Sequence, residues 1–186
     1  GKGVVPALDF VPREKIHIDL GILVDEHLET SSPGVFAAGD VAQATDVVRH
    51  KKWVNAIWPV AAEQGIIAGF NMAGRPVSYR GSLGRNVLRI FRLDVLSGGI
   101  IDAPSHSGYR TLTYSNPFKR IYRKIVIKDS IPVGLVMVGD IEQGGIILSL
   151  IHRQLPLMVE PELLLDPHFS FSSLLSTASP KRRIIA

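Results

Sequence analysis

The apolar run Val35-Phe36-Ala37-Ala38 stops abruptly at Gly39-Asp40. That pattern predicts a buried strand over 35–40 whose end delivers a carboxylate to the carboxyl edge of a sheet. In α/β folds this edge is where ligands bind. Gly39 has no Cβ and lets a ligand approach closely. Asp40 can accept hydrogen bonds from ribose- or ribityl-type hydroxyls.

A helix follows about twenty residues later. Pro59 suits a first turn, where no N–H is needed, and the helix is expected from 59 to 73. Ala62, Ile66 and Phe70 form one stripe, and Ala61, Gly65 and Gly69 form a second of very small residues. Small residues at every fourth position predict close packing of this helix on a sheet. Gly74 ends the helix and Pro76 prevents its return. The free N–H groups at the start of the helix can face an electron-rich ligand atom. Between the two features, residues 41–58 read as a loop carrying the basic cluster Arg49, His50, Lys51 and Lys52 beside Trp53 and Trp58. Upstream, Ile22 to Asp25 is a short strand candidate.

After Pro76 the texture changes to one of alternation. Val87 to Phe91, Leu93 to Ser97 and Tyr109 to Tyr114 read as strands. Arg120 to Lys128 places Ile121, Ile125 and Ile127 on one face, and Asp129-Ser130 turns the chain into Ile131 to Val138 as an antiparallel hairpin. A helix is expected over 145–154, ended by Pro156. Three segments result: 1–76, a separate α+β module over 77–160 with four or five antiparallel strands, and a tail over 161–186.

Composition excludes several classes. Of 186 residues 46% are hydrophobic and 20% charged, which fits a globular chain rather than a disordered one. Without cysteine there is no disulfide framework, no thiolate metal site and no redox dithiol on this chain. The six histidines lack ligand spacing, so no metal site is expected. A net charge of +4 is too small to imply nucleic acid. No apolar run reaches the roughly 18 residues a membrane span needs. Ser105-His106-Ser107 lacks the elbow glycines of a nucleophilic serine. Lys181-Arg182-Arg183 reads as a solvated tail. Asp140 and Glu142 read either as a carboxylate pair or as a hairpin-to-helix junction. For Trp58, core or interface packing is as good a reading as ligand contact.

Taken in order, these segments resemble a known family. Gly1 to Pro6, Ile22-Leu23-Val24-Asp25 with Thr30-Ser31, and above all VFAAGDVAQ resemble the carboxyl-terminal part of the FAD-dependent pyridine-nucleotide disulfide oxidoreductase superfamily. The likeness continues through Trp58, Ala62, Gln64-Gly65, Ala68, Asn71 to Gly74, Tyr79 and Gly81, and more weakly through Gly134, Gly139-Asp140 and Gly145. Its branch is that of NADH oxidase, rubredoxin or ferredoxin reductase and the flavin region of assimilatory nitrite reductase. The resemblance implies a partial FAD-type Rossmann-like domain over 1–76, followed by a small antiparallel-sheet interface domain. It implies that Gly39 and Asp40 meet the ribityl chain of FAD and that the Val41 backbone lies beside the isoalloxazine pyrimidine edge. The backbone of Ile57, Trp58 and Pro59 would face the flavin N1–C2=O edge. Pro59 has no N–H, which leaves Ile57 and Trp58 as donors.

The superfamily's two G-x-G-x-x-G turns, for the FAD pyrophosphate and for NAD(P)H, do not occur in this sequence. The chain, which starts Gly1-Lys2-Gly3, therefore reads as part of a longer flavoenzyme, with NAD(P)H held by residues outside it. The implied activity is electron transfer from NAD(P)H through FAD to a small acceptor or redox protein, in the cytoplasm. The implied partners are the rest of the flavoenzyme and a second copy of the chain; the 49–52 cluster reads as a solvated loop, or as a dock for an acidic electron-transfer protein or a group near the FAD phosphates. The alternative is a non-catalytic dimerisation or docking subunit of a split flavoenzyme.

Overall fold

A computed structural model describes residues 3–103, 108–170 and 172. The chain divides into two compact units, Gly1–Gly84 and Arg85–Ala186. The division falls after Gly84, beyond residue 76 where the texture changes, and Tyr79, Ser82 and Leu83 are buried with the first unit. Ser105-His106-Ser107 and the basic stretch 181–183 lie outside the described residues.

In the first unit, β1 (Ile22–Leu23), β2 (Ala42–Asp46) and β3 (Lys51–Trp53) form a sheet in that order. β1 pairs parallel to β2 in the register Ile22↔Ala42, and β2 pairs antiparallel to β3 in the register Ala44↔Trp53. The helix α1 (Trp58–Met72) follows. Apolar residues Val11, Ile22, Val24, Leu28, Ala42, Ala44 and Ala68 gather in one core.

Three expectations change here. Residues 35–38 are not a ladder strand: Phe36 makes a single bridge to Glu29, and Gly39–Val41 form a 3-10 turn. The strand begins after the Gly-Asp pair, within the supposed loop 41–58, because Ala42 and Ala44 point into the core and alternate with groups that bond elsewhere. The helix also presents a different face. Val60, Gln64 and Ala68 are its buried residues, one position before the small-residue stripe and two before the stripe of Ala62, Ile66 and Phe70. Among the described residues, a Cβ added at Gly65 or Gly69 would meet nothing within 4 Å outside the helix's own backbone. Their smallness is therefore not used for close helix–sheet packing in this unit.

The second unit is a five-stranded antiparallel sheet. Its strands are β4 (Arg85–Ile90), β5 (Leu93–Gly99), β6 (Tyr109–Asn116), β7 (Ile121–Lys128) and β8 (Ile131–Val138), in spatial order β4-β5-β8-β7-β6. The expected β7–β8 hairpin is present. Asp129 and Ser130 both have positive φ, at 48° and 63°, as a two-residue primed turn requires. A bulge between Val126 and Ile127 shifts the β7–β8 register next to Pro132, where the strand has no N–H to donate. The helix α2 (Gly144–Arg153) packs on β8 and β5 through Ile147 and Ile151, both fully buried. His152 and Arg153 favour the negative end of its dipole, and Gln154 closes it with φ 51°.

The face of β7 read as Ile121, Ile125 and Ile127 also carries Arg123, which has no exposed surface. Its guanidinium donates to the Asp166 carbonyl at 2.8 Å, to Asp140 Oδ2 at 2.9 Å and to Gln143 Oε1 at 2.9 Å. Asp140 is therefore the junction residue of the two readings, an ion-pair partner rather than half of a carboxylate pair. Of the Arg123 side-chain nitrogens, Nε alone has no partner among the described residues. Removing a buried partner strands the groups it satisfied, whereas an apolar residue of similar length still fills the space. Arg123→Ala is expected to cost about 3 kcal/mol in chemical denaturation. Arg123→Met should cost clearly less. Equal losses would show that the guanidinium's bonds contribute nothing beyond its volume.

Candidate functional site

The Gly39–Val41 turn is the sharpest local feature of the first unit. Gly39 has φ 80°, a region that favours glycine. A Cβ there would also sit 3.3 Å from Ala61 Cβ, so the turn lies directly on the first turn of α1. Gly39 N–H donates to Gln64 Oε1 at 2.8 Å, and Ala42 N–H donates to the Gly39 carbonyl. Asp40 is exposed, and no described residue donates to its carboxylate. The turn thus holds an acceptor pair of oxygens in place without using them.

The start of α1 is set by a separate polar network. Asp46, at the end of β2, has no exposed surface. Its Oδ1 accepts from Val48 N–H at 2.9 Å and Arg49 N–H at 2.8 Å. Its Oδ2 accepts from Arg49 Nη1 at 3.1 Å and Asn55 Nδ2 at 3.0 Å. Asn55 Nδ2 also reaches Ser82 Oγ at 2.9 Å, and the Asn55 carbonyl accepts Ile57 N–H at 2.9 Å. Of the two donors expected at the helix start, Ile57 is therefore engaged, and Trp58 N–H remains. Val60 and Ala61 N–H both turn back to the Ile57 carbonyl. The first turn contains no acidic residue, so its positive end is uncompensated. Trp58 itself is 82% exposed, which excludes the core-packing reading within this chain.

The basic cluster separates into two kinds of residue. Arg49 pairs with Asp46 and lies 5.0 Å from the Trp53 ring centroid. Lys51 Nζ lies 5.0 Å from the same ring. Arg49 thus closes the β2–β3 turn, while Lys51 is held over an aromatic face with its charge outward. Among the described residues no group of three or more His, Cys, Asp or Glu could hold a metal ion.

Two residues that organise the site appear in the sequence only as parts of the family likeness, or not at all. Gln64 is 2% exposed and reaches both Gly39 and Tyr79 Oη, the latter through Nε2 at 3.3 Å. Asp46 carries no motif. Gln64 lies on neither stripe read from the sequence, so no local signal marked its role.

Two family profiles match the chain. "Pyridine nucleotide-disulphide oxidoreductase" matches residues 1–65, and "Rubredoxin NAD+ reductase C-terminal domain" matches residues 85–155. The chain is 31% identical over 154 residues to the NADH-dependent phenylglyoxylate dehydrogenase subunit epsilon of Aromatoleum evansii, covering 82% of this chain and 36% of that one. It is 29% identical over 142 residues to the NADH-rubredoxin oxidoreductase of Clostridium acetobutylicum, covering 76% and 35%. The crystal structure of NADH:rubredoxin oxidoreductase from that organism superposes with a TM-score of 0.66 at 25% identity, over 94% of this chain and 41% of that one. The covalent putidaredoxin reductase–putidaredoxin complex gives 0.77 at 20% identity, over 95% and 40%, and speaks for the fold alone. The chain spans about a third of the length of these curated relatives.

Burial, the largest cause, raises the Tyr79 hydroxyl above its ordinary 10.0. Its neutral form is favoured in the folded state. The stability it carries is therefore full below the unfolded value and lost as pH rises through the raised folded value. Thermal unfolding is expected to show an alkaline loss of stability above about pH 10 that Tyr79→Phe reduces. An identical alkaline profile in the variant would contradict this.

Proposed function

This chain belongs to the FAD-dependent pyridine nucleotide-disulphide oxidoreductase superfamily, and on that premise we propose that it forms the part of a flavoenzyme that receives the ribityl and pyrimidine side of FAD. The observation that carries this reading is the Gly39–Val41 turn seated on the first turn of α1. One element presents a carboxylate, Asp40, and the other an N–H, Trp58, neither with a partner among the described residues, on a helix start without acidic residues. An acceptor for sugar-type hydroxyls beside a donor for an electron-rich ring edge fits one side of FAD and no metal.

In this reading Asp40 takes the ribityl hydroxyl protons as hydrogen-bond acceptor, and the Gly39 and Val41 backbone lies against the cofactor. Trp58 N–H and the α1 dipole favour negative charge at the ring's pyrimidine edge, by about 0.3–1 kcal/mol at an exposed helix start. Ile57 contributes through its carbonyl, which fixes the first turn, and Pro59 through its fixed φ. FAD, when bound, supplies hydride acceptance from NAD(P)H, which leaves as NAD(P)+, and release of two electrons to an acceptor. NAD(P)H is held by residues not in this chain. The acceptor is a small molecule or a redox protein. Lys51, held outward over Trp53, is the cation available to an acidic electron-transfer protein, and the second unit supplies a surface for a second copy of the chain.

Asp40→Ala in the natural full-length protein is expected to lower flavin occupancy, read as the ratio of flavin to protein absorbance. Wild-type occupancy in the variant would refute the assigned role. The 186-residue chain alone is expected to be colourless or nearly so and without NAD(P)H oxidase activity, since it offers only one side of the cofactor a site. It should also self-associate, because Phe91 is 94% and Phe118 101% exposed. A stoichiometric flavin spectrum on a monodisperse monomer, by absorbance and light scattering, would contradict both expectations.

A further inference from the structure

We infer that Gln64 is the positioning residue of the Asp40 turn, setting from inside α1 how firmly the chain grips the cofactor's hydroxyl-bearing chain. The inference rests on the flavin reading above. Gln64 occupies the centre of the buried face of α1, between Val60 and Ala68. A glutamine at such a place costs desolvation unless both ends of its amide are used. Both are. Oε1 takes the Gly39 N–H at 2.8 Å, and Nε2 donates to Tyr79 Oη at 3.3 Å.

The chain of bonds continues outward. Tyr79 is 4% exposed, and its N–H donates to the Glu26 carbonyl at 2.6 Å. At the far end of α1, Asn71 ties the same two segments together. Its Nδ2 donates to the carbonyls of His27, at 2.8 Å, and Val77, at 2.9 Å, and its Oδ1 accepts Val77 N–H at 2.8 Å. Gln64 is thus anchored at one end to a segment that the rest of the unit holds rigid. Its other end fixes the amide of the residue immediately before Asp40.

The local backbone explains why an anchor is needed. Gly39 sits at φ 80°, in a conformation that glycine leaves at little cost. The turn is only three residues long, and Ala38 before it has no polar side chain to cap it. Without the Gln64 bond, the Gly39 N–H would be an orphan against the helix, and the turn would regain the freedom that glycine allows. A carboxylate on a loosened turn loses much of its advantage in orientation, even though the carboxylate itself is unchanged.

The test uses the natural full-length protein, stripped of flavin and titrated with FAD while flavin fluorescence is followed. Gln64→Met keeps the volume and removes both bonds. It is expected to weaken FAD binding about tenfold, the free energy of roughly one net hydrogen bond. In an Asp40→Ala background the same substitution should add less than about twofold, because coupled residues are non-additive. A loss that is fully additive, or an FAD affinity unchanged by Gln64→Met while Asp40→Ala weakens it, would overturn the role of Gln64. An FAD affinity unchanged by Asp40→Ala itself would overturn the flavin reading and the inference with it. Should Gln64→Met fail to fold, Tyr79→Phe decides. It frees only the far end of the amide, and about a threefold loss supports the inference, whereas unchanged affinity overturns it.

Discussion

A carboxylate with no exposed surface is costly unless every lone pair is used, and Asp46 uses its own on four donors. The first unit is arranged around that requirement. Two of the donors are backbone amides, so the β2–β3 turn can close only one way. The third is Arg49, which supplies the opposite charge. The fourth is Asn55, which passes the constraint on to Ser82 by its side chain and to Ile57 by its carbonyl. Ser82 and Thr45 exchange further backbone bonds with their neighbours, and Asp46 bridges Ser82 in parallel. The start of α1 therefore inherits its position from a buried charge rather than from the helix's own sequence, which has no capping side chain.

The second unit solves the same problem with the opposite sign. Arg123 is buried on the covered face of the sheet and is satisfied by one partly exposed carboxylate, one amide and one carbonyl. Gln143 then reaches on to the Pro167 carbonyl at 2.8 Å. The segment after α2 is thus held on the sheet by polar bonds as well as by Leu164 and Phe169. In both units a single buried ion joins pieces that lie far apart in sequence, and apolar packing completes what that ion begins.

Much of this was legible in advance because hydrophobic alternation and turn chemistry act locally. The strands from 85 to 138, the hairpin at Asp129-Ser130 and both helices follow from period, β-branched residues and breakers. The Gly-Asp pair and its position before α1 were legible from the apolar run and the helix signals, though as a strand end rather than a turn. What was not legible depends on partners remote in sequence. Residues 35–38 are apolar enough for a strand, yet Ala37 is buried in the core without a ladder, and the pairing falls to 42–46, where β1 and β3 are available. The buried face of the helix differs from both expected stripes because Gln64, a polar residue, is on the inside. Its burial makes sense only once Gly39 and Tyr79 are seen on either side of it. Arg123 was hidden for the same reason, since nothing local to β7 indicates that Asp140 and Gln143 will come to meet it.

The spatial order β4-β5-β8-β7-β6 also says something about how the second sheet is assembled. Two of its seams, β6–β7 and β7–β8, are local hairpins, and so is β4–β5. The seam between β5 and β8 is different, since Val95 must find Val138 and Gly99 must find Gly134 across the whole of the intervening meander. Local pairings form quickly, and the entropy of closing a long loop falls on the one remote pairing. The seam is also where α2 docks, with Gly144 set against Leu96 and Met137. Strand closure and helix docking therefore share the same residues, and the cost of the one long loop is offset where α2 also buries its apolar face.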